Sequence, residues 1–359
     1  MPQATATRVG LVFGGCSGEH AVSILSARTV ADALATGANR QRYRLIPHYI
    51  TRDGRWLTGE GAAAALSGDG TMPAGSEDPG ARLPTTARQV DVWFPVLHGP
   101  NGEDGTVQGL FTLLGQAFVG TGVLGAAVGM DKQAMKAAFA GAGLPQVSHV
   151  CATADGLRRP DELDELVNHV EQHLGYPCFV KPANLGSSVG ISKAGDCEAL
   201  LAGLRAAARL DDRLIVEAAV TARELECAVL GDATLNASVV GEILYDAEWY
   251  DYTAKYSPGH SSLVIPASVP QAVRDRVQRL AVQATRVIGA YGLSRVDFFY
   301  QEENGMLYVN EINTMPGFTS QSMYPLLWQA SGIPTEELVH RLIELAQVRH
   351  QRRNFTPAH

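Results

Sequence analysis

Short unbroken apolar runs alternate along this chain with longer stretches in which apolar residues recur every three or four positions. "RVGLVFGG" is an apolar run ending in glycines and predicts a buried strand. "SGEHAVSILSARTVADAL" follows, with Ile24, Ala27, Ala31 and Leu34 on one helical face and Ser17 placed to cap the helix. "RYRLIPHYI" and "DVWFPVLHG" predict two more strands, and "QGLFTLLG" a short helix. Strand, helix and strand in alternation imply a parallel sheet with crossover helices. Residues 59–86, rich in Ala, Gly, Ser and Pro, read as a variable loop or small flap.

A second unit opens at "MDKQAMKAAFAGAGLP". Asp131 can cap its helix, Met135, Ala138 and Phe139 form the apolar stripe, and Gly141, Gly143 and Pro145 stop it. "YPCFVKPA" and "DRLIVEAAV" are short strands flanking a helix over 198–210. A third unit holds the strands "ECAVLG", "ASVVGEI", "SRVDFFY" and "MLYVNEIN" and a helix over 271–291. A last helix over 335–348 precedes a polar tail, and no internal repeat interrupts the order.

Composition narrows the class. A chain of 359 residues exceeds one ordinary core and suggests two to three domains. With 46% hydrophobic and 18% charged residues it is a packed globular protein. A net charge of −8 argues against nucleic-acid or membrane-surface binding, which would need clustered basic residues. Cys16, Cys151, Cys178, Cys197 and Cys227 lack zinc-ligand spacing and are odd in number, so buried free thiols are expected rather than disulfides. The N-terminus shows no secretory apolar core and no stretch is long enough to span a bilayer, which points to a cytoplasmic protein.

The sharpest chemical signal is "SRVDFFYQEENGMLYVNEINTMPG". Its Asn-Gly pair is a hairpin cue, and a turn centred on Asn304 sets Asp297 across from Glu311. Glu311 and Asn313 share a strand face, as do Arg295 and Asp297. Three oxygen donors then converge beside one guanidinium in an otherwise apolar run. Burying unpaired carboxylates is costly, so a metal site is favoured over a solvated face, and all-oxygen donors suit Mg²⁺ over zinc. "VKPANLGSSVGIS" puts Lys181 ahead of a small-residue loop that is either a surface turn or an anion cradle. Lys132 opposes the macrodipole in the first turn of its helix, which implies a nearby anion or a pairing with Asp131 or Glu103. Glu217 could accept from an adenine amino group and Glu224 could bind ribose hydroxyls.

In order, "GGCSGEHAVSILSA", "LHGPNGEDGTVQG", "MDKQAMK", "VKPANLGSSVGIS", "VEAAVTARELECAVLG", "YDYTAKY", "RVDFF" and "VNEINTMPGFTSQSMYP" closely resemble D-alanine–D-alanine ligases of the ATP-grasp superfamily, over about residues 8–340. The resemblance implies an α/β and α+β architecture: a Rossmann-like N-terminal domain over 1–129, ATP-grasp lobes over 130–216 and 217–348, and a polar tail over 349–359. It implies that Lys132 and Lys181 contact ATP phosphates, with Ser187 and Ser188 in the covering loop. Glu217 would meet the adenine amino group, the Val220 backbone would lie beside the ring, and Glu224 would take the ribose. Asp297, Glu311 and Asn313 would hold two Mg²⁺, with Mn²⁺ able to substitute.

The implied reaction phosphorylates the carboxylate of one D-alanine and lets the amine of a second attack the acyl phosphate. Glu19 would pair with the first ammonium, and Glu19, Ser187 and Tyr256 would form a network under a lid over 246–262. Arg295 and the Gly317 N–H would stabilise the tetrahedral oxyanion. Ser322 and the Met323 backbone would hold the second carboxylate, with Lys255 also at the substrates; His98, in "LHG", either touches the first substrate or is a core or loop histidine. The other nine histidines show no ligand spacing. Gln321 and Met323 depart slightly from relatives, in the second-substrate pocket. A homodimer in which the N-terminal domain associates is expected from relatives. The nearest rival is a D-alanine–D-lactate (or D-serine) ligase of the vancomycin-resistance kind; Tyr256 favours an amine nucleophile instead. A dinucleotide-binding oxidoreductase is disfavoured because "GGCSGEH" lacks G-x-G-x-x-G.

Overall fold

A computed structural model describes residues 6–68, 83–186, 189–245 and 261–354 of the chain. Three sheets divide these residues. The first is built from β1 (Thr7–Gly14), β2 (Tyr43–Ile50), β3 (Trp56–Leu57), β4 (Val92–Pro95) and β5 (Ala117–Phe118), in the order β3-β2-β1-β4-β5. Every pairing in it is parallel except that of the edge strand β3. Val9, Leu11, Val12 and Phe13 of the central strand β1 are fully buried, on both faces, as the unbroken apolar run requires. Gly14 closes β1 at φ +94°, where a Cβ would lie 2.1 Å from the Ile50 carbonyl oxygen, so only glycine fits the turn.

Helices α1 (His20–Ala35), α2 (Asn39–Arg42), α3 (Gly59–Ser67), α4 (Thr106–Leu113) and α5 (Val123–Met130) accompany this sheet. Ala27 and Leu34 of α1 are buried and Ile24 and Ala31 pack against them, as the spacing predicts. Two local expectations are corrected. Ser17 does not cap α1: Glu19 occupies the cap position, and the Ser17 hydroxyl donates to the His98 carbonyl at 2.6 Å. Residues 59–67, expected as loop, form α3, because the alanine run has high helix propensity and Ala62 buries against the first sheet. The remainder of that stretch, 69–82, lies outside the described residues.

The second sheet is antiparallel, with β6 (His149–Thr153), β7 (Cys178–Pro182), β8 (Ser192–Ala194) and β9 (Arg213–Ala218) in the order β6-β9-β7-β8. It carries α6 (Lys132–Gly141), α7 (Pro160–His173) and α8 (Cys197–Ala207). Asp131 caps α6, accepting from the Ala134 N–H at 2.8 Å. The third sheet, also antiparallel, has the order β12-β11-β10-β13-β14, from β10 (Arg223–Gly231), β11 (Leu235–Tyr245), β12 (Ser261–Val264), β13 (Gly292–Gln301) and β14 (Met306–Asn313). Helices α9 (Gln271–Val287), α10 (Met323–Ala330) and α11 (Thr335–Asn354) complete it. Helix α11 runs six residues beyond the predicted 348, into the expected polar tail.

Two features hold the sheets in register around one cleft. Leu338, Val339, Leu342 and Ile343 of α11 share a core with Val9, Leu11 and Phe94 of the first sheet and with Ala228, Leu230 and Leu293 of the third. Met135 and Phe139 of α6 bury in the core of the third sheet. From the same helix, the Gln133 amide donates to Ala152 and Leu214 carbonyls of the second sheet, at 3.0 and 2.7 Å. Helix α6 therefore clamps the second sheet to the third.

Candidate active site

The β13–β14 hairpin builds one wall. Its rungs run Gln301–Met306, Tyr300–Leu307, Phe299–Tyr308 and Phe298–Val309, then jump to Asp297–Glu311 and Arg295–Asn313. The turn is thus centred between Glu303 and Asn304, half a residue earlier than symmetry about Asn304 requires. Asn310 is the extra residue that restores the Asp297–Glu311 pairing. Without this bulge Asp297 would face Asn310, and Glu311 would turn toward the core. The apolar spacing carries the same signal, since the buried residues of β14 are Leu307, Val309 and Ile312, two and then three apart.

Arg295 forks onto Asp297, its Nε and Nη2 donating to the two carboxylate oxygens at 2.7 Å each. Its Nε also lies 2.9 Å from Oε2 of the buried Glu226, which pairs with Asp297 across β10–β13. Burial opposes charge on the guanidinium, but Asp297, Glu226 and Glu311 more than offset it, so Arg295 stays protonated. The Asn313 amide lies 3.4 Å from Asp297 Oδ2. Two carboxylates and an amide oxygen on one strand face form a hard-donor set that fits Mg²⁺ chemically. Among the described residues, no group of three or more His, Cys, Asp or Glu side chains gathers as a metal cage.

The opposite wall comes from the second sheet and α6. Glu217 of β9 is 3% exposed and sits between two ammonium groups. Lys181 of β7 donates to its Oε2, and Lys136 of α6 lies 2.8 Å from its Oε1. Burial alone would raise the Glu217 carboxyl, but Lys136 and Lys181 outweigh it and hold it far below the usual carboxylate range. Lys181 also feels Glu311 and Glu224 of the third sheet, so the two walls face one another electrostatically. Glu224 lies on β10, paired with Ile243 and Phe299. Lys132 Nζ donates to the Leu185 carbonyl at 2.8 Å, placing a cation at the mouth of the glycine-serine loop. Val220 is half-buried just beyond β9.

The floor is formed by the first sheet and the segment after β14. A Cβ on Gly99 or Gly186 would come within 3.0 or 3.3 Å of Glu19 Oε2, which seats that carboxylate between the histidine loop and the glycine-serine loop. His98 is buried, its Nε2 2.9 Å from Ser26 Oγ and its Nδ1 3.1 Å from the Met315 carbonyl. Burial opposes its protonation, but Glu103 and then Glu19 outweigh it and raise its pKa. Ser26 Oγ also accepts from the Phe318 N–H at 3.2 Å, so His98 and Ser26 together pin the segment that presents Gly317. Ser322 Oγ lies 2.8 Å from Thr319 Oγ1 at the start of α10, and Met323 is buried against Gly241.

Ser187, Ser188, Lys255 and Tyr256, with most of the lid, lie outside the described residues. Sequence reasoning passed over Lys136, Glu226 and Ser26. Lys136 stands four residues after Lys132 and three before Phe139, inside the apolar stripe, and Glu226 shares the Glu224 face; both spacings were available. Two other expectations are corrected. Cys16 and Cys151 are exposed and Cys197 is partly so, leaving only Cys178 and Cys227 buried. His169 and His173 do have ligand spacing, stacked at 4.0 Å one turn apart on α7.

Known proteins resemble this chain over nearly its whole length. Residues 8–121 match the family model for the D-ala D-ala ligase N-terminus, and residues 138–344 that for the D-ala D-ala ligase C-terminus. The chain is 57% identical over 349 residues to a D-alanine–D-alanine ligase of Parasynechococcus marenigrum (strain WH8102), spanning 96% of this chain and 99% of that one. It is 58% identical over 346 residues to the namesake of Synechococcus sp. (strain WH7803), spanning 95% and 98%. Among solved structures, the D-alanine-D-alanine ligase from Coxiella burnetii aligns with a TM-score of 0.79 at 30% identity, over 98% of this chain and 97% of that one. The VanG D-Ala:D-Ser ligase from Enterococcus faecalis aligns at 0.80 and 33%, over 95% and 100%. With a Rossmann-like sheet leading into a two-lobed ATP-grasp fold and both family models matched in order, this chain belongs to the D-alanine–D-alanine ligase family.

Proposed function

We propose that the protein joins two D-alanines at the expense of ATP, giving D-alanyl-D-alanine, ADP and phosphate for peptidoglycan precursors. The observation that carries this is a charge pattern split between the two lobes: Lys136 and Lys181 ion-paired to Glu217 on the second sheet, and Asp297 paired with Glu311 beside Arg295 on the third. A triphosphate lying there would meet Lys132 and Lys181 on one side and the acidic hairpin on the other. Asp297, Glu311 and Asn313 would hold divalent cations, two Mg²⁺ with Mn²⁺ able to substitute. When bound, the cations supply charge neutralisation on the phosphates.

The chain's own groups do the rest. A carboxylate oxygen of the first D-alanine takes the γ-phosphoryl group as the bond to ADP breaks, and Glu19 orients that substrate through its ammonium. The second amine attacks the carbonyl carbon, and the developing oxyanion is met by Arg295 and the Gly317 N–H. Collapse expels phosphate, forms the amide and releases a proton to the Glu19–Ser187–Tyr256 network. Ser322 and the Met323 N–H would fix the second carboxylate, with Lys255 and His98 beside the substrates. Lid residues over the site would exclude water, which otherwise hydrolyses an acyl phosphate.

Glu217 has both oxygens against lysines, so its contribution to adenine would come from the remaining lone pairs, beside the Val220 backbone; Glu224 would take the ribose. Ser187 and Ser188 would cover the phosphates. Curated relatives at 55–58% identity are named D-alanine–D-alanine ligase, which favours D-alanine as second substrate over D-serine or D-lactate. Among the described residues no helix is long and apolar enough to cross a membrane. The proposal extends to a cytoplasmic homodimer, for which exposed Leu113, Leu114, Val123 and Leu124 on the N-terminal domain offer an apolar contact. Phosphate release from ATP with D-alanine, L-alanine and D-lactate supplied separately tests the reading. Turnover with D-alanine alone is expected, and equal turnover with L-alanine or none with D-alanine refutes it.

A further inference from the structure

Lys136 plays no part in the reaction as described, yet it is an interior lysine, 1% exposed, among the apolar residues of α6. Its ammonium can touch no nucleotide. A buried cation is expensive, and a methionine of similar length would fill the space beside Met135 and Phe139. We propose that Lys136 is a positioning residue that neutralises Glu217 from the interior side, leaving the charge of Lys181 available to the phosphates of ATP.

The geometry makes this a matter of counting charges. Glu217 offers one oxygen to each lysine, Oε1 to Lys136 and Oε2 to Lys181. Two ammoniums against one carboxylate leave a single positive charge. Without Lys136, the Lys181–Glu217 pair is neutral, and nothing on that wall offsets Glu311 and Glu224 of the facing sheet, which also act on Lys181. A polyanion would then be repelled from the strand meant to hold it. The titratable neighbours His149 and Cys151 add no competing charge: burial lowers the pKa of the imidazole and raises that of the thiol. Lys132 and Lys136 stand one turn apart on α6 with different targets, Lys132 reaching the Leu185 carbonyl and Lys136 reaching Glu217.

This inference rests on the ATP-binding reading and is tested on the full chain with ATP and Mg²⁺ as probe. Lys136→Met is expected to raise the Kd and KM for ATP by about tenfold, while the KM for D-alanine moves less than about twofold. Adenosine, which carries no phosphate, should bind Lys136→Met within about twofold of wild type, and Lys136→Arg should bind ATP within about threefold. A purely structural role predicts equal losses for adenosine and ATP. ATP binding by Lys136→Met equal to wild type, or an equal loss for adenosine and ATP, overturns the inference. If Lys136→Met does not fold, Lys136→Gln and Lys136→Arg decide by the same comparison of the two probes. A wild-type protein that binds no ATP refutes the functional reading itself and this inference with it.

Discussion

Removing Asn310 tests the hairpin on which the acidic wall depends. That residue is the bulge, so its loss lets the rungs Phe298–Val309 and Asp297–Glu311 follow one another without a break. Alternation then keeps Glu311 and Asn313 toward the cleft and Ile312 in the core. The deletion is therefore expected to leave stability within about 1 kcal/mol of wild type and to retain phosphate release. Exchanging Glu311 and Ile312 with Asn310 in place is the destructive change. Ile312 is 3% exposed among Val296, Phe298, Val309 and Ile288, and bringing it into water costs about 1.5–3 kcal/mol. Turning a carboxylate into that cluster without a partner costs roughly 3 kcal/mol or more. The sum, about 5 kcal/mol, rivals the whole stability of a typical domain. The exchange should lower the urea midpoint sharply and abolish phosphate release. Asn310→Ser, which keeps the bulge, should cost less than about 1 kcal/mol. A deletion variant that unfolds or loses turnover refutes the account, as does an exchange variant with wild-type midpoint.

Glu311→Gln should reduce phosphate release by at least about a hundredfold with the urea midpoint nearly unchanged, and retained activity would remove Glu311 from the proposed metal site. Gly317→Ala sets a Cβ 2.9 Å from Ser322 Oγ, so the loop must shift; turnover should fall about tenfold while far-UV dichroism stays unaltered. Glu217→Gln leaves two buried ammoniums without their carboxylate and should cost about 3–5 kcal/mol at neutral pH. Because the folded pKa of Glu217 is depressed, that stability is present above the ordinary carboxylate range and lost as pH falls toward the folded value. The gap between wild type and Glu217→Gln should thus hold from pH 7 to about 5 and narrow in stronger acid, as urea midpoints across pH will report. Tyr256→Phe should raise the fraction of D-alanyl-D-lactate formed from mixed substrates, and an unchanged product ratio would count against the lid tyrosine.

What could be read from residues alone was set by the range of the physics involved. Local periodicity located β1, α1, β9 and β13 because burial on a strand or helix face imprints itself on neighbours in sequence. Sheet membership was less legible: α6 reads as one amphipathic helix, and only its placement shows that it clamps two sheets and buries a lysine. The hairpin shows the limit most clearly. Symmetry about Asn304 reached the right partner for Asp297 for an incomplete reason, since it treated the strands as regular and placed the turn half a residue late. The two errors cancelled only because a bulge of one residue lies between turn and site. Had the three-residue gap from Val309 to Ile312 been weighed as heavily as the Asn-Gly pair, the bulge would have been predicted with its position. Charges followed the opposite rule. Arg295, Asp297 and Glu311 were conspicuous as ionisable residues in an apolar run, whereas Lys136 hid in an amphipathic helix, one turn after Lys132. Its meaning appears only when Glu217, eighty-one positions away, is found to face it.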